Sequence, residues 1–285
     1  MDKLLFTVIV PTFNDVPRTI KCIHSLIEQT ISPSLFEVII VDNNPQLLEY
    51  CEVPSNFKII HEPTPGSYAA RNTALKLAKG KYIAFTDADC LVSPKWLESA
   101  LKYLDNKTDR VAGNIKLFDE TGSKKMTFSA CYEKAYAFDQ KTNASRGECV
   151  TANLIIHKSL IDRVGYFDSN LFSGGDIEWN LRATKENIGI VYADDVIVMH
   201  PIRASLKEIV SKRVRVIGGQ YKKLSIIGTL KFLLPPIKDV AYLSSRAELT
   251  RFEKISAFLI RYYLKIISFI MVILLKLNIQ KPKRA

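Results

Sequence analysis

The sequence has few cysteines and no pattern that would pair them. The five cysteines among 285 residues are an odd number, widely scattered and without a CxxC pair. This distribution excludes a disulfide framework and a cysteine-based zinc site, and it predicts reduced thiols in a cytosolic setting. The first residues also lack the basic start and long apolar run of a secretory signal, so no signal peptide is expected.

Acidic residues are scarce in the last third of the chain. Residues 203–285 contain 18 Lys and Arg but only 4 Asp and Glu, whereas residues 1–202 contain 22 basic and 25 acidic residues. The net charge of +11 therefore comes wholly from the C-terminal segment. A basic segment of this kind is typical of proteins that bind nucleic acid or an anionic membrane surface.

Strand and helix patterns alternate along the first hundred residues. Short apolar, β-branched runs predict buried strands at 6–10, 36–41, 57–60 and 82–85. Periodic stretches predict helices at 15–30 and 68–79, the second capped by Gly80. This alternation predicts an α/β domain with a parallel sheet and right-handed crossovers. Beyond residue 110 the pattern is less regular, with strands predicted at 110–113, 153–156 and 188–192 and helices at 126–138 and 177–186.

Polar side chains gather where three of the predicted strands end. They are residues 12–15, 42–44 and 87–89. In a parallel sheet, ligands bind beyond the carboxyl ends of the strands, and these ends share one edge. Any one of them could be a solvated turn, but three together predict a binding site.

Five short motifs follow one another in the order found in a known enzyme family. They are Val10-Pro11-Thr12-Phe13-Asn14, Val41-Asp42-Asn43-Asn44, Gly66-Ser67-Tyr68-Ala69-Ala70-Arg71-Asn72, Thr86-Asp87-Ala88-Asp89 and Ser173-Gly174-Gly175-Asp176-Ile177-Glu178-Trp179. In them the chain resembles the inverting glycosyltransferases of family 2. The resemblance covers about residues 4–200. It implies the GT-A fold, a Rossmann-like, mainly parallel central sheet flanked by helices, and transfer of a sugar from a nucleotide-diphosphate donor.

The resemblance also implies a divalent metal, Mn²⁺ or Mg²⁺, at the Asp87-Ala88-Asp89 element. A hard cation held by one or two carboxylates neutralises the charge that grows on a departing diphosphate. Asp89 is expected to bind the metal and Asp87 to lie nearer the ribose or share the metal, although Asp89 could instead cap the helix that follows. His200 is a further candidate, as a ligand of the metal or the diphosphate or as a structural residue.

Donor-binding roles are implied for four residues near the first two strand ends and for one helix residue. Pro11, Thr12 and Asn14 match positions that meet the nucleotide, and Asp42 matches the position that hydrogen-bonds the base. Arg71 is expected either to reach a phosphate or to form an ion pair with Asp87.

An inverting transfer needs a general base for the acceptor hydroxyl. Asp176 matches the family's base, with Glu178 as the second candidate. This chain has Gly175-Asp176 where the family often has Glu-Asp, and the acidic pair could also complement a helix dipole. Glu148, Asn153 and Trp179 are expected on the acceptor side, although packing in the core is the alternative favoured for Trp179.

The C-terminal segment contains a long apolar stretch, residues 254–278, with a narrow basic stripe. At 100° per residue Lys254, Arg261, Lys265, Ser268 and Lys276 fall on one side of a helix. This pattern predicts a helix in the membrane interface, supported by basic flanking residues that suit anionic lipid. Spanning the membrane, or packing on the catalytic domain or a second copy, are the alternatives. The flanking residues are Lys212, Arg213, Arg215, Lys222, Lys223, Lys281, Lys283 and Arg284.

These patterns together predict a catalytic domain at 1–202 and a helical, membrane-associated tail at 203–285. The expected protein is an inverting glycosyltransferase at the cytoplasmic face of a membrane, acting on a glycan or lipid-linked acceptor in envelope or extracellular polysaccharide assembly. The alternative is a catalytically inactive membrane scaffold or sugar-binding subunit with the same fold. A nucleic-acid partner is not expected, because the tail aromatics share the apolar face and no recognised motif is present.

Overall fold

The computed structural model describes residues 4–105, 108–120, 122 and 126–282. The chain divides into two compact units. Unit 1 comprises Met1–Lys116 and Phe138–His200, and unit 2 comprises Leu117–Ala137 and Pro201–Ala285. The boundary predicted at residue 202 therefore lies close to the observed one, but it misses the segment 117–137, which belongs with the C-terminal residues.

A mixed sheet forms the centre of unit 1. Among the described residues it has eight strands in the order β3-β2-β1-β4-β7-β6-β8-β5. The strands are β1 (Phe6–Thr12), β2 (Phe36–Asp42), β3 (Phe57–His61), β4 (Tyr82–Phe85), β5 (Leu91–Val92), β6 (Arg110–Phe118), β7 (Leu154–His157) and β8 (Ile190–Pro201).

The first four strands in the order are parallel, as the alternating pattern predicts. β1 pairs in parallel with β2 and β4, and β2 with β3. Every residue of β1 is buried, because helices cover both faces of such a sheet. The other half of the sheet differs, since β7 is antiparallel to β4 and to β6, and β5 is antiparallel to β8.

Helices flank the sheet in unit 1 and make up most of unit 2. The first of them begins where the sequence predicts, because the Asp15 side chain accepts a hydrogen bond from the Arg18 backbone N–H and caps it. The helices are α1 (Val16–Ile27), α2 (Ser67–Leu77), α3 (Trp96–Leu104), α4 (Phe128–Tyr136), α5 (Gln140–Ser145), α6 (Leu160–Val164), α7 (Gly175–Lys185), α8 (Leu206–Gln220), α9 (Ile226–Leu230), α10 (Lys238–Ser245) and α11 (Arg251–Lys276).

Gly80 is not the cap predicted for α2. The helix ends at Leu77, and Ala78 already has extended backbone angles. A Cβ on Gly80 would lie 2.4 Å from the backbone carbon of Phe6. Glycine is required here because the chain passes against β1, not because a helix ends.

Unit 2 is a helical assembly with its own small cores. α11 packs on α4 and α8. One core contains Ala135, Leu243, Leu249 and Ala257, and another contains Ile217, Met271, Val272 and Leu275. α8 and α11 each start with a capping box, at Ser205 and Thr250 respectively.

The basic stripe of α11 is partly exposed, and each of its cations also has a partner within unit 2. The Nζ atoms of Lys254, Lys265 and Lys276 donate to the backbone carbonyls of Ser244, Leu234 and Leu224, at 3.1, 2.5 and 2.5 Å. Arg261 pairs with Asp239 at 3.0 Å. The stripe lies against the preceding segments of unit 2, because its cations satisfy carbonyls there.

The outer side of α11 is apolar instead. At 100° per residue its exposed large side chains fall within an arc of about 80°. Among the described residues, α11 is the one helix that is long and apolar enough to cross a membrane, judged by length and composition. Only 22% of its most apolar stretch of 18 residues is buried. Of the basic residues predicted to flank it, Lys283 and Arg284 lie outside the described residues. The exposed side chains are Phe252, Ile255, Leu259, Tyr263, Ile270, Ile273 and Leu277.

Candidate active site

The polar strand ends meet at one edge of the parallel half of the sheet. The Asn43 backbone N–H donates to the Thr12 carbonyl at 2.9 Å, which joins the ends of β1 and β2. The Asn14 N–H donates to Asn44 Oδ1 at 3.1 Å. Asn14 has a φ of 51°, a left-handed conformation that Asn tolerates in tight turns. The loops after β1 and β2 therefore form one connected surface.

Asp87 and Asp89 lie in a turn directly after β4. The Cys90 N–H closes the turn on the Asp87 carbonyl at 3.0 Å. Ala88 is buried, whereas the two aspartate side chains are 34% and 27% exposed, enough for their carboxylates to reach a ligand. Arg71 on α2 donates from Nη2 to Asp87 Oδ1 at 2.5 Å. Of the two roles expected for Arg71, the structure shows the ion pair.

The second aspartate lies beside His200, at the end of β8. His200 Nε2 is 3.6 Å from Asp89 Oδ2, and the imidazole contacts the Phe138 ring in a tilted arrangement with ring centroids 4.4 Å apart. Cys90 Sγ completes a group of three potential ligand atoms within 4.8 Å of one another. Burial raises the pKa of the Cys90 thiol well above its usual value, and the charges of Asp89 and Asp87 raise it further.

This donor set fits a hard divalent cation. Two ligands on adjacent corners of an octahedron with bonds of about 2.1 Å lie about 3 Å apart, close to the Asp89–His200 separation. A carboxylate oxygen suits Mn²⁺ or Mg²⁺, whereas an imidazole nitrogen suits the softer Mn²⁺ better than Mg²⁺. Asp89 is also not the cap of α3, since Lys95 occupies the cap position.

The predicted donor-binding residues differ in what they can touch. Asn14 is exposed at the rim of the site, while Pro11 and Thr12 are buried, with Thr12 Oγ1 hydrogen-bonded to Thr19 Oγ1 at 2.6 Å. Asp42 is fully buried, and its carboxylate accepts from the backbone N–H groups of Asn44 and Leu48 at 2.9 and 2.7 Å. Burial raises the pKa of Asp42, but these donors outweigh it and hold the pKa below its usual value. Asp42 therefore shapes the loop, and direct contact with a nucleotide base would require that loop to open.

Asp176 lies in the first turn of α7 and faces Tyr68 of α2. The Tyr68 hydroxyl accepts from the Gly175 backbone N–H at 2.8 Å and donates to Asp176 Oδ1 at 3.4 Å. Burial raises the pKa of Asp176 above the usual value, opposed by the Ile177 N–H and the charge of Arg71, while the charge of Asp87 adds to the rise. Arg71, which binds Asp87, also lies over the Tyr68 ring at 5.8 Å, so Tyr68 and Arg71 connect Asp176 with Asp87.

Glu178 takes part in a different interaction. Its carboxylate binds Arg182 one turn later, with Nε–Oε1 at 2.8 Å and Nη2–Oε2 at 3.1 Å. Arg182 in turn donates to the carbonyls of Val164 and Tyr166. Glu178 therefore fixes the loop after α6, which makes Asp176 the better placed of the two candidate bases.

Two of the three residues expected on the acceptor side are interior residues. Asn153 is fully buried and binds Trp96 Nε1, the Asn114 carbonyl and the Val196 carbonyl, each at 2.9 Å. Trp179 is fully buried, and its Nε1 donates to the Gly165 carbonyl at 2.7 Å. Neither can contact an acceptor in this conformation, so the structure corrects both assignments. Glu148 is half-exposed and stays a candidate.

Two residues of the quoted motifs have roles that the sequence interpretation missed. Tyr68 holds Asp176 and Gly175, as described above. Asn43 donates from Nδ2 to the carbonyls of Glu62 and Thr64 and accepts the Gly66 N–H, all at 2.7 Å, so it fixes the loop that leads into α2. Both residues lie inside a quoted motif, which indicates that the position matters but does not identify the hydrogen-bond partner.

Comparison with known proteins agrees with this geometry. The family model described as glycosyl transferase family 2 matches residues 7–165. The chain is 33% identical to the glycosyltransferase AglE of Haloferax volcanii over 223 residues, which span 75% of this chain and 72% of that protein.

Solved structures share the fold at lower identity. The mannosyltransferase PcManGT from Pyrobaculum calidifontis, in complex with GDP-Man and Mn²⁺, matches with a TM-score of 0.57 and 18% identity, over 97% of this chain and 88% of that one. TarS 1-349 of S. aureus, in complex with UDP-GlcNAc, matches with a TM-score of 0.54 and 17% identity, over 97% and 92%. The fold is therefore GT-A, as the motifs predict.

Proposed function

Since this chain belongs to glycosyl transferase family 2, we propose that it moves a sugar from a nucleoside-diphosphate donor to an acceptor hydroxyl with inversion at the anomeric carbon. One observation carries the proposal. Tyr68 donates to the candidate base Asp176, and its ring lies 5.8 Å from the guanidinium of Arg71, which binds Asp87 beside the proposed metal site. A donor site and a proton acceptor connected in this way are what the reaction requires.

Asp89 and His200 would hold a divalent cation, with Asp87 as a shared contact. A bound Mn²⁺ or Mg²⁺ offsets the negative charge that develops on the leaving diphosphate. Arg71 keeps Asp87 in a fixed orientation through a nearly buried guanidinium. The structural neighbours PcManGT and TarS, which bind GDP-Man with Mn²⁺ and UDP-GlcNAc, support a nucleotide-sugar donor here.

The chemical step follows from these positions. The acceptor oxygen forms a bond to the anomeric carbon as its proton passes to an oxygen of Asp176. The bond between that carbon and the diphosphate oxygen breaks, and the nucleoside diphosphate leaves with the electron pair. Attack from the face opposite the leaving group inverts the configuration. The raised pKa of Asp176 suits this role, because a base works best with a pKa near the working pH.

We place the enzyme at the cytoplasmic face of a membrane, where a lipid-linked or glycan acceptor for envelope or extracellular polysaccharide is assembled. Unit 2 supports this proposal with the exposed apolar side of α11 and with apolar residues on α9 and near α10, such as Ile226, Ile227 and Ile237. The net charge of +14 on residues 203–285 favours an anionic surface. Peripheral or monotopic attachment fits a helix whose other side packs within unit 2.

A panel of nucleotide sugars tests the transfer itself. The full chain is incubated with each donor, Mn²⁺ and lipid or glycan acceptors, and the product is followed by NMR. The proposal predicts release of a nucleoside diphosphate and a first product of inverted anomeric configuration. A product of retained configuration would refute the role of Asp176, and the absence of turnover with every donor would favour the scaffold alternative.

A further inference from the structure

One side chain beside the proposed metal site has no role in the transfer described above. Cys90 directly follows Asp89 in the turn after β4, and it is fully buried. One oxygen of Asp89, one ring nitrogen of His200 and Cys90 Sγ all lie within 4.8 Å of one another. The three residues belong to unit 1, so the cluster lies within one compact unit. An ion held by Asp89 and His200 would therefore lie close to the sulfur as well.

The Asp89 carboxylate connects the other two members of the cluster. His200 Nε2 is 3.6 Å from Oδ2, which is longer than an N–H···O hydrogen bond. The Cys90 thiol donates to Oδ1 at 3.7 Å. The proton of that hydrogen bond lies between sulfur and oxygen, where a metal ion bound by both atoms would also lie.

The separations within the cluster are closer to those of a four-coordinate ion than to those of an octahedral one. Zinc binds oxygen and nitrogen at about 2.0–2.1 Å and sulfur at about 2.3 Å, so tetrahedral angles place nitrogen and oxygen about 3.3 Å apart and sulfur and oxygen about 3.5 Å apart. Neighbouring ligands of octahedral Mg²⁺ are about 3 Å apart. The observed 3.6 and 3.7 Å therefore favour the tetrahedral arrangement.

The three kinds of ligand indicate which class of ion would bind. A carboxylate oxygen suits Mg²⁺ and Mn²⁺, whereas a thiolate and an imidazole suit softer ions such as Zn²⁺. Three protein ligands with one open position are typical of zinc sites that bind a further molecule. The spacing of the five cysteines excludes a site made of several of them, but a single cysteine beside a carboxylate and an imidazole needs no second one.

We propose that Cys90 is a ligand of the metal site, and that together with Asp89 and His200 it selects ions of the zinc class, such as Zn²⁺ and Co²⁺, over Mg²⁺. Binding of the ion breaks the S–H bond, forms a sulfur–metal bond and releases the proton to solvent. The inference rests on the metal site of the proposed function but not on turnover. If Cys90 were not a ligand, Asp89 and His200 could still hold Mn²⁺ and the proposed transfer would stand.

The first test is the absorption spectrum of the metal-free full chain titrated with Co²⁺, which needs no substitution. A thiolate bound to Co²⁺ gives a sulfur-to-metal charge-transfer band in the near ultraviolet, and calorimetry in the same buffer measures how much ion is bound. We expect the band to grow in proportion to the bound Co²⁺. Bound Co²⁺ without the band would overturn the proposal, and so would the absence of Co²⁺ binding.

A substitution identifies which sulfur gives the band. Cys90→Ser replaces the sulfur with oxygen and should abolish the band, while thermal unfolding checks that the variant is folded. Cys22→Ser is the matched control, because Cys22 is also fully buried and its thiol donates to the Asp87 carbonyl of the same turn at 3.7 Å. Cys22 is not part of the cluster, so its variant should keep the band. A band that persists in Cys90→Ser, or that is lost in both variants, would overturn the proposal.

The second test measures the selectivity for the ion. Sites with nitrogen, oxygen and sulfur ligands generally bind Zn²⁺ more tightly than Mn²⁺, so a preference for Zn²⁺ in the wild type alone decides nothing. Loss of an outer partner of a metal ligand costs about 10–100-fold in affinity, so loss of the ligand itself in Cys90→Ser should weaken Zn²⁺ binding by about a hundredfold or more. The affinity for Mg²⁺ should stay nearly the same, since Mg²⁺ gains little from sulfur. An equal change in affinity for both ions would overturn the proposal.

Discussion

Replacing Tyr68 with Phe should impair catalysis while leaving the fold intact. The change removes one oxygen, which accepts the Gly175 N–H at 2.8 Å and donates to Asp176 Oδ1 at 3.4 Å. A net hydrogen bond contributes about 0.5–1.5 kcal/mol, and a bond at 3.4 Å is close to the geometric limit. Since about 1.36 kcal/mol is a factor of ten in rate, kcat/KM should fall by about 2–13-fold.

The pH dependence gives the more specific result. Burial already raises the pKa of Asp176, and a hydrogen bond donated to its carboxylate opposes that rise. Without the Tyr68 hydroxyl the pKa rises further. The base must be deprotonated to act, so the acid limb of the kcat/KM profile should move to higher pH in Tyr68→Phe.

The assay is a pH series of initial rates for the wild type, Tyr68→Phe and Tyr166→Phe. Tyr166 is 44% exposed and serves as the matched control, with no expected change. Thermal unfolding checks that all three are folded. A fall in kcat/KM without movement of the acid limb would refute the argument that Tyr68 positions and tunes Asp176, and so would an equal effect in the control.

Three other substitutions follow from contacts of the described residues. Asn153→Ala should lower the unfolding free energy by about 3 kcal/mol or more in denaturant titration, because three buried partners lose their bonds, with KM unchanged. Asp176→Asn should abolish transfer yet raise the unfolding temperature at neutral pH, because it removes a carboxylate whose pKa is raised in the folded protein. This gain in unfolding temperature should fade as the pH falls toward the usual aspartate pKa, where the wild-type carboxyl is also neutral. The double change Ile255→Glu and Leu259→Glu removes about 1.5–3 kcal/mol of favourable free energy per residue from apolar burial in the membrane, so vesicle binding should weaken by about a hundredfold or more. Leu77→Glu, at an exposed position of unit 1, should leave vesicle binding unchanged.

The parallel half of the fold could be predicted because its strands are continuous apolar runs that end in polar turns. Val8 to Val10 and Val38 to Val41 are buried on both faces, so the sequence signal is simple. β8 was only partly predicted, since the exposed Asp194 and Asp195 interrupt its apolar pattern. Antiparallel pairing with distant strands leaves no local mark in the sequence.

In the site, too, contacts between residues that are distant in the sequence could not be predicted. Asp87, Asp89 and Asp176 could be proposed from the sequence because glycosyl transfer needs carboxylates and these three lie in the matched motifs. The acceptor-side assignments of Asn153 and Trp179 were wrong because their polar atoms are hydrogen-bonded inside the protein. The sequence alone does not distinguish such atoms from those that bind a ligand.

Helical periodicity has a comparable ambiguity in α11. It identified the basic stripe correctly but could not show which side of the helix packs within the protein. The nearby carbonyls of Leu224, Leu234 and Ser244 decide this, and they come from segments up to 52 residues away.

We propose that Asp89 and His200 hold the cation that binds the donor diphosphate. Titration of the wild type with UDP and GDP, with and without Mn²⁺, measures this directly by calorimetry. We expect at least one nucleoside diphosphate to bind more tightly with Mn²⁺, and Asp89→Asn to abolish this gain while weak metal-free binding persists. Equal enhancement by Mn²⁺ in Asp89→Asn and the wild type would show that Asp89 does not hold the cation.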